Sequence, residues 1–597
     1  MSRLSDLLDQ LKRENPRLGA DLQAELTSHT QRTFGLVFEK HLPENVELPG
    51  RTVRRGDSVH ILPPRGSKDT PDTCLWRVDN LRKEDELGRV ARLVKLQPKQ
   101  DTDPELRDSV PVSDLVVVAQ HNETIYPGLV QTGEVIGTDA VDAPFHSVIN
   151  AENFHALKML TYTHYHSIDC IYIDPPYNTG AKDWKYNNDY VDSDDGYRHS
   201  KWLSFMERRL LVAKQLLNPE DSALIVTIDE KEYLRLGMLL EQTFPEARIT
   251  MVTSSINAAG VTRKGTFGRS SEYLYFVQLG ESKPTPLPLG NEWNDVATKN
   301  KTKIRWNLLM RSGTSARRID SPNQFYPVFI RNTADGPIFE SVGDSLIEGP
   351  PERFEDEHRA VIWPIRQDGS EGRWQISPAG LREAIALGYA KLGAWRGCET
   401  TVYYLKRGEK NKVETGIYPV TGRAHDGSVI VDTDGYRMSF IPTDIWRIPS
   451  HDAGNSGSRL VAQLLPGQSF PFPKSLYAVE DALRFFVKDK PDATILDFFS
   501  GSGTTAHAVM RLNKQDGGRR RSISVTNNEV SAEEQKALIA KGLRPGDEEW
   551  EALGIATYVT KPRVKAAITG KTPAGDGIKG SYKFTDEFPM KDGFAAN

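Results

Sequence analysis

Two short stretches carry the residues that could do chemistry. The first, residues 173–180 (IDPPYNTG), follows the apolar run DCIYI and sets a carboxylate, Asp174, before two prolines, Pro175 and Pro176, and an aromatic, Tyr177. Two prolines remove two backbone donors, so a central strand cannot run through them. They also push each preceding residue out of the helical region, which holds the loop extended with its carbonyls available as acceptors. A carboxylate, a carbonyl and a flat aromatic face held side by side can accept two donors and stack on a planar group. Taken singly, such an Asp is more often a turn carboxylate bonded to its own backbone. Such a Tyr is more often packing.

The second stretch, residues 495–510 (ILDFFSGSGTTAHAVM), is an apolar strand, a glycine-rich turn and a helix opening on Thr504 and Thr505. Gly501 and Gly503 allow a sharp turn and close approach of a ligand, and the helix start offers unpaired N–H groups. A phosphate loop would need Lys and then Ser or Thr after the second glycine, and Thr504-Thr505 stand there instead. A dinucleotide site would need a third glycine where His507 stands, which also argues against a Rossmann dehydrogenase. The remaining ligand class for this strand, turn and helix is S-adenosylmethionine, whose ribose needs a carboxylate at the end of the next strand. Glu529, in RSISVTNNEV, stands in that place by analogy with the acid of dinucleotide sites.

The elements that must position these loops alternate strand and helix. From about residue 145 the order is SVIN, a helix from Glu152 to about Leu160, DCIYI and the first loop. A helix follows from about His199 to Leu217, with Trp202, Phe205, Met206, Leu210 and Ala213 at spacings of three and four. Then come SALIVTID, a helix through Met238 and YLYFVQL. The pattern resumes near the end with a helix from about Ser475 to Val487, the strand ATILDFF and the glycine loop. Such ordering predicts an α/β fold with buried strands. The expected division is residues 1–140, an accessory region with a charged N-terminal helix and short strands such as DLVVVA; 141–280, bearing the first loop; 281–460, an aperiodic insert rich in Trp, Gly, Pro and Arg; and 461–597, bearing the glycine loop.

A chain of 597 residues predicts three or four domains of about 150 residues. No apolar stretch nears the roughly 20 residues of a membrane helix, and the N-terminus lacks the pattern of a signal peptide, so a cytoplasmic protein is expected. Cys74, Cys170 and Cys398 are too scattered for a zinc site or a disulfide framework and read as small buried hydrophobes. No metal-ligand spacing occurs among the 13 histidines, and no metal is expected. His164, His166, Tyr162, Tyr165 and His507 read as packing or surface residues. With 76 basic against 81 acidic residues, a polyanion would have to be held by local patches. One such patch is KTKIRWNLLMRSGTSARR, residues 301–318, with six Lys or Arg, no acid and Trp306 among them. A solvated face is the commoner explanation of such a run.

Together the two stretches carry a resemblance. DPPY (Asp174 to Tyr177) and FFSGSGTT (Phe498 to Thr505), in that order, resemble motifs IV and I of the β-class amino methyltransferases that act on DNA. NFHALKML, RSGTSARRIDSPNQFYPVFI, FPFPKSLYAVEDAL and VTNNEVS resemble segments of the modification subunits of Type III restriction systems and their relatives; the similarity covers about residues 125 to 590. It implies a Rossmann-like S-adenosylmethionine-dependent methyltransferase sheet with circularly permuted motif order, and a target-recognition region within the insert. Asp174, Pro175, Pro176 and Tyr177 become the catalytic loop, and Asp497, Phe499, Gly501 and Gly503 the cofactor loop. Glu529 becomes the ribose-binding acid, and Lys474 and Ser475 lie against the cofactor's amino acid end. Glu152 and Asn153 fall where many relatives have Gly-Asp-Asn, with Ala151-Glu152 replacing Gly-Asp here. Relatives often carry His-Glu where this chain has Ser271-Glu272. Relatives also run on from a segment like DGFAAN, so a shortened C-terminus is expected.

The resemblance further implies the reaction. The exocyclic amine of adenine or cytosine is a poor nucleophile, because its lone pair is delocalised into the ring. Asp174 and the carbonyl of Pro175, each accepting one N–H, would draw it towards tetrahedral geometry. Tyr177 would stack on a base taken out of the duplex, and Phe499 would pack on the cofactor's adenine or face its sulfonium. The expectation is adenine-N6 methylation of double-stranded DNA in a restriction-modification or phage-defence system, with a restriction or helicase subunit as partner and homodimerisation as in relatives. The alternatives are cytosine-N4 methylation and a DNA-recognition subunit with weak catalysis.

Overall fold

The computed structural model describes residues 11–12, 15–16, 18–20, 35–41, 46–67, 74–85, 88–96, 105–119, 128–136, 144–178, 197–257, 260–263, 265–289, 291–293, 304–433, 439–468, 470–584 and 587–594. Most of the expected N-terminal helix lies outside them. The chain forms two compact units, Met1–Trp293 with Phe440–Asn597, and Asn294–Ser439.

The first unit is built on an eight-stranded sheet. Its strands are β1 (His146–Asn150), β2 (Cys170–Ile173), β3 (Asp221–Ile228), β4 (Arg248–Ser255), β5 (Ser271–Gly280), β6 (Ile445–Trp446), β7 (Thr494–Asp497) and β8 (Arg521–Thr526). The spatial order is β6-β4-β5-β3-β2-β7-β8-β1, with β5 antiparallel to both neighbours. The run from β3 through β1 is parallel throughout. Alternate residues of each strand face opposite layers, as the strand period requires. Ile171, Ile173, Leu224, Val226 and Leu496 meet the face of helices α1 (Asn153–Leu160), α2 (Arg198–Leu216) and α3 (Tyr233–Thr243). Cys170, Tyr172, Ile225, Phe276 and Ile495 meet α4 (Leu476–Val487), α5 (Thr504–Asp516) and α6 (Lys561–Thr569).

Burial on both faces explains the near-continuous apolar strands of the sequence. The helices and strands that flank the two loops fall within a few residues of their expected bounds. β4 was absent from the expected order: its side chains alternate between exposed and half-buried at first, which hides it from a search for apolar runs.

A six-stranded sheet formed by residues 46–119 has a small core of its own around Trp76, Val59 and Val117. It falls in the same compact unit as the large sheet and is pinned by two ion pairs. Arg65 grips Asp547 with two nitrogens, at 2.7 and 3.1 Å, and Arg544 meets Asp114 at 2.8 Å. Two units are therefore seen where length suggested three or four domains.

The unit Asn294–Ser439 is smaller than the expected insert, since residues 281–293 and 440–460 belong to the first unit. β6 is one reason, as it extends the large sheet beside β4. The insert also carries regular structure: two three-stranded sheets, a hairpin and a helix over Pro378–Leu387 surround a core that includes Tyr326, Val328, Trp374 and Leu381. Its strands run only two to seven residues, too short for a period to show. In the basic run, Trp306 is half-buried against that core, and Arg318 pairs with Glu371 at 3.0 Å. Those two serve packing, whereas Arg305 and Arg317 are exposed.

Of the cysteines, only Cys170 is buried, while Cys74 and Cys398 are half-buried. Among the described residues no helix is long and apolar enough to cross a membrane. No group of three or more His, Cys, Asp or Glu among them could hold a metal ion.

Candidate active site

β2 and β7 lie side by side and parallel, with Cys170 opposite Ile495 and Ile171 opposite Leu496. The chain leaves β2 for α2 and β3 on one side, and leaves β7 for α5 and β8 on the other. The order of the sheet reverses between them, and the crevice outside the carboxyl ends of strands at such a reversal is where α/β sheets bind ligands. Asp174 and Phe498, the residues next after these strands, therefore emerge at one edge.

Asp174 is half-buried, and Thr227 Oγ1 on β3 donates to its Oδ1 at 2.6 Å. Lys474 Nζ lies 3.2 Å from the same oxygen. Oδ2 thus remains as an acceptor among the described residues. Trp202 Nε1, on α2, donates to the carbonyl of Pro176 at 2.8 Å, while no described residue donates to the carbonyl of Pro175. The loop ends on Asn178, whose φ of +56° lies in the left-handed region. Asn pays less than most residues for that conformation, and its Nδ2 is held by the buried carboxylate of Glu232 at 2.5 Å.

Lys474 has more partners than its position in FPKS suggested. Its ammonium donates to Glu272 Oε2 at 2.8 Å and to the hydroxyl of Tyr177, which in turn donates to Glu272 at 3.1 Å. Burial works against the ammonium, but the Asp174 and Glu272 carboxylates outweigh it and hold Lys474 above its ordinary value. Burial, with the same two carboxylates, holds the Tyr177 phenol well above 10. Lys474 Nζ also lies 4.6 Å from the centroid of the Tyr177 ring, within cation–π range. Glu272 was not singled out from the sequence. It is one charged residue at the head of an apolar strand, and its only signal was its place in the Ser271-Glu272 pair.

The glycine loop is shaped by its own side chains. Asp497 Oδ1 accepts the N–H of Phe499 at 3.0 Å and Oδ2 the hydroxyl of Thr505 at 2.6 Å. Burial pushes this carboxyl up to about 7, against those two hydrogen bonds. Gly503 caps α5 with φ of +77°, a conformation that favours glycine. Phe499 is buried beside the rings of Phe498 and Phe205.

One cavity takes its walls from both loops. Asp174 and Pro176 come from the first, Asp497, Phe499 and Gly501 from the second, with Lys474 and Glu529 beside them. Pro175, Tyr177, Ser475, Glu152 and Asn153 are not among the cavity's walls. Pro175 is buried, and Tyr177 packs with Lys474 and Glu272. Ser475 caps α4 by accepting the N–H of Ala478 at 3.3 Å, and it donates to the carbonyl of Ser450. Glu152 caps α1 and pairs with Arg209 at 2.7 Å, while Asn153 donates to the carbonyl of Phe498 at 3.0 Å. Asn153 thereby supports the glycine loop from beneath, and neither side chain lines the cavity. The reason is the buried Arg209, which draws both side chains towards α2.

Proteins of similar sequence include two Mod subunits and a Type II methyltransferase. The Mod subunit of the Type III restriction-modification enzyme EcoPI, from Escherichia phage P1, is 26% identical over 64% of this chain and 57% of its own length. The Type II methyltransferase M.KpnI of Klebsiella pneumoniae is 28% identical over 66% of this chain and 84% of its own. The Mod subunit of EcoP15I, from Escherichia coli, is 25% identical over 66% of this chain and 60% of its own. The chain thus spans about 60% of the length of the two Mod subunits. A family model described as DNA methylase (N6_N4_Mtase) matches residues 168–539, a span that opens at β2, contains both loops and takes in more than half of the chain. The protein belongs to this DNA methylase family.

Proposed function

We propose that the protein transfers the methyl group of S-adenosylmethionine to the N6 amino group of adenine in double-stranded DNA, within a restriction-modification or phage-defence system. The observation that carries this reading is the single cavity walled by the Asp174 loop and the glycine loop. The residues present suit the cofactor. Glu529, after β8, and the glycine loop both border the cavity, where Glu529 would hold the ribose hydroxyls and the loop the amino acid end. Ser500 Oγ is buried at the cavity wall with no hydrogen-bond partner among the described residues, a loss of about 1–3 kcal/mol that a polar ligand would repair. When bound, the cofactor supplies an electrophilic methyl group on a sulfonium.

The chain's own residues prepare the amine. Asp174 Oδ2 and the Pro175 carbonyl accept its two N–H groups, which directs the lone pair towards the methyl group. Trp202 keeps the Pro176 carbonyl out of that competition. Tyr177 stacks on the extruded base, a contact worth roughly 1–3 kcal/mol. Lys474 bridges Asp174 and Glu272, so it keeps a carboxylate partner when the amine engages Asp174. The unit Asn294–Ser439 would read the DNA sequence; the similarity to Mod subunits of restriction-modification enzymes supports a further subunit as partner, and a restriction or helicase subunit and a homodimer are what the resemblance implies.

The test is transfer of a tritiated methyl group to duplex DNA, followed by methylation-aware sequencing of DNA from cells that express the protein. Native protein is expected to label adenine at a defined site, and Asp174→Ala to lower the rate by at least about 100-fold. Label on cytosine would move the reading to the N4 amine. Sequence-specific binding without transfer would replace it by a recognition subunit.

A further inference from the structure

Behind the glycine loop stands a cation that the reaction above leaves unused. Arg563, on α6, is completely buried. Its Nη1 donates to Thr504 Oγ1 at 2.7 Å, to Ser502 Oγ at 2.8 Å and to the Ser502 carbonyl at 3.3 Å. Its Nε and Nη2 have no hydrogen-bond partner, and no carboxylate pairs with it, among the described residues. Arg511, also buried, shows the ordinary solution: it is paired with Glu480. Burial pushes the Arg563 guanidinium from 12.5 down to about 10. Thr504 opens the 13-residue helix α5, whose N-terminal end is already positive from the helix dipole. A buried guanidinium and a helix N-terminus in one dry place, with no anion, leave charge uncompensated.

The direction of the hydrogen bonds shows where that charge is felt. A guanidinium can only donate, so the hydroxyls of Ser502 and Thr504 both act as acceptors towards Arg563. They lie 3.1 Å apart, and one can donate to the other. At least one hydroxyl hydrogen then remains, and both residues line the cavity, as does Ser500 with its unpartnered Oγ. The wall therefore presents polarised donors to whatever lies in the cavity. The residues that the resemblance placed at the amino acid end are committed elsewhere, Lys474 to Asp174 and Glu272, and Ser475 to α4 and Ser450.

We propose that the buried Arg563 serves the cofactor site from behind, strengthening the hold of the glycine loop's Ser502 and Thr504 hydroxyls on the carboxylate at the cofactor's amino acid end. The inference rests on the cofactor reading given above. Arg563 is a positioning residue, acting on the carboxylate through the two hydroxyls that it polarises.

Calorimetry on the full chain tests it with two nucleosides: S-adenosylhomocysteine, which carries the amino acid, and 5′-methylthioadenosine, which lacks it. Arg563→Gln is expected to weaken S-adenosylhomocysteine by about 10- to 100-fold, the range of a hydrogen bond to a charged group, and to leave methylthioadenosine unchanged. Arg563→Lys should recover part of the loss. Thr504→Val, which keeps the buried charge and removes one hydroxyl, should show the same selectivity even if the Arg563 variants fold poorly. Equal weakening of both nucleosides would reduce Arg563 to a structural prop, and unchanged binding of both would also overturn the proposal. Native protein that binds neither nucleoside would instead sink the cofactor reading.

Discussion

Two aspartates meet the same cavity and are treated in opposite ways. Asp174 has an ammonium 3.2 Å away, whereas no cation pairs with Asp497 among the described residues, and its two hydrogen bonds come from a backbone N–H and a hydroxyl. The carboxyl of Asp497, pushed up by burial to about 7, therefore holds its proton more tightly in the folded chain than the ordinary 3.8 of the unfolded one. Its contribution to stability is fully present below 3.8 and is lost as pH rises through about 7. The stability of native protein relative to Asp497→Asn should decline with rising pH across that window and level off above it. Denaturant melts at intervals through the range would show this, and a flat difference would mean that Asp497 is ionised throughout. A cofactor bearing a positive sulfonium would favour the ionised form, so binding near neutral pH should release a proton. Lys474 is the counterpart on the other loop, where two carboxylates and a phenol give one ammonium enough partners to stay charged when buried.

At the scale of the element, the Asp174 loop is held by the helices and strands around it as well as by its prolines. α2 contributes the indole that takes the Pro176 carbonyl, β3 the hydroxyl on Asp174, and Glu232, ahead of α3, the carboxylate that holds Asn178. Trp202→Phe keeps the ring in the core but gives up the 2.8 Å hydrogen bond. It should cost about 1 kcal/mol of stability, and it frees a carbonyl that competes for the amine. Turnover should fall while cofactor affinity, measured by calorimetry, stays level; a matched fall in both would place the effect in the core instead. The sequence made Asp174 and the glycine turn legible because each ends an apolar strand with residues that cannot continue it. The rest of the site was hidden for a physical reason. Glu272 and Thr227 are polar residues on largely buried strands and Arg563 is one of three basic residues on α6, and what gives them meaning is a partner far along the chain. The pairing of Glu152 and Asn153 with Arg209 on α2 is hidden in the same way.

At the scale of the whole molecule, the unit Asn294–Ser439 interrupts the first unit between β5 and β6. The chain around the interruption is clasped: Leu287 and Phe440 exchange two backbone hydrogen bonds, each of 3.1 Å, and Trp293 packs against Trp446 and Phe485. Ends held this close let a unit be inserted with little demand on the host fold. Exchange of residues 294–439 for the equivalent unit of a relative that reads another sequence should move the methylated site and spare cofactor binding. Sequencing of DNA from cells that express the chimaera decides it, and an unmoved site would place recognition in the first unit. The neighbouring pair β2 and β7 has a different consequence, one of timing. During synthesis β2 leaves the ribosome long before β7, the second of its two partners, exists, and Leu496 reaches Ile171 only after the whole inserted unit has been made. Until then the Asp174 loop has no glycine loop beside it, so under the proposed function a stalled or truncated chain would lack the assembled site.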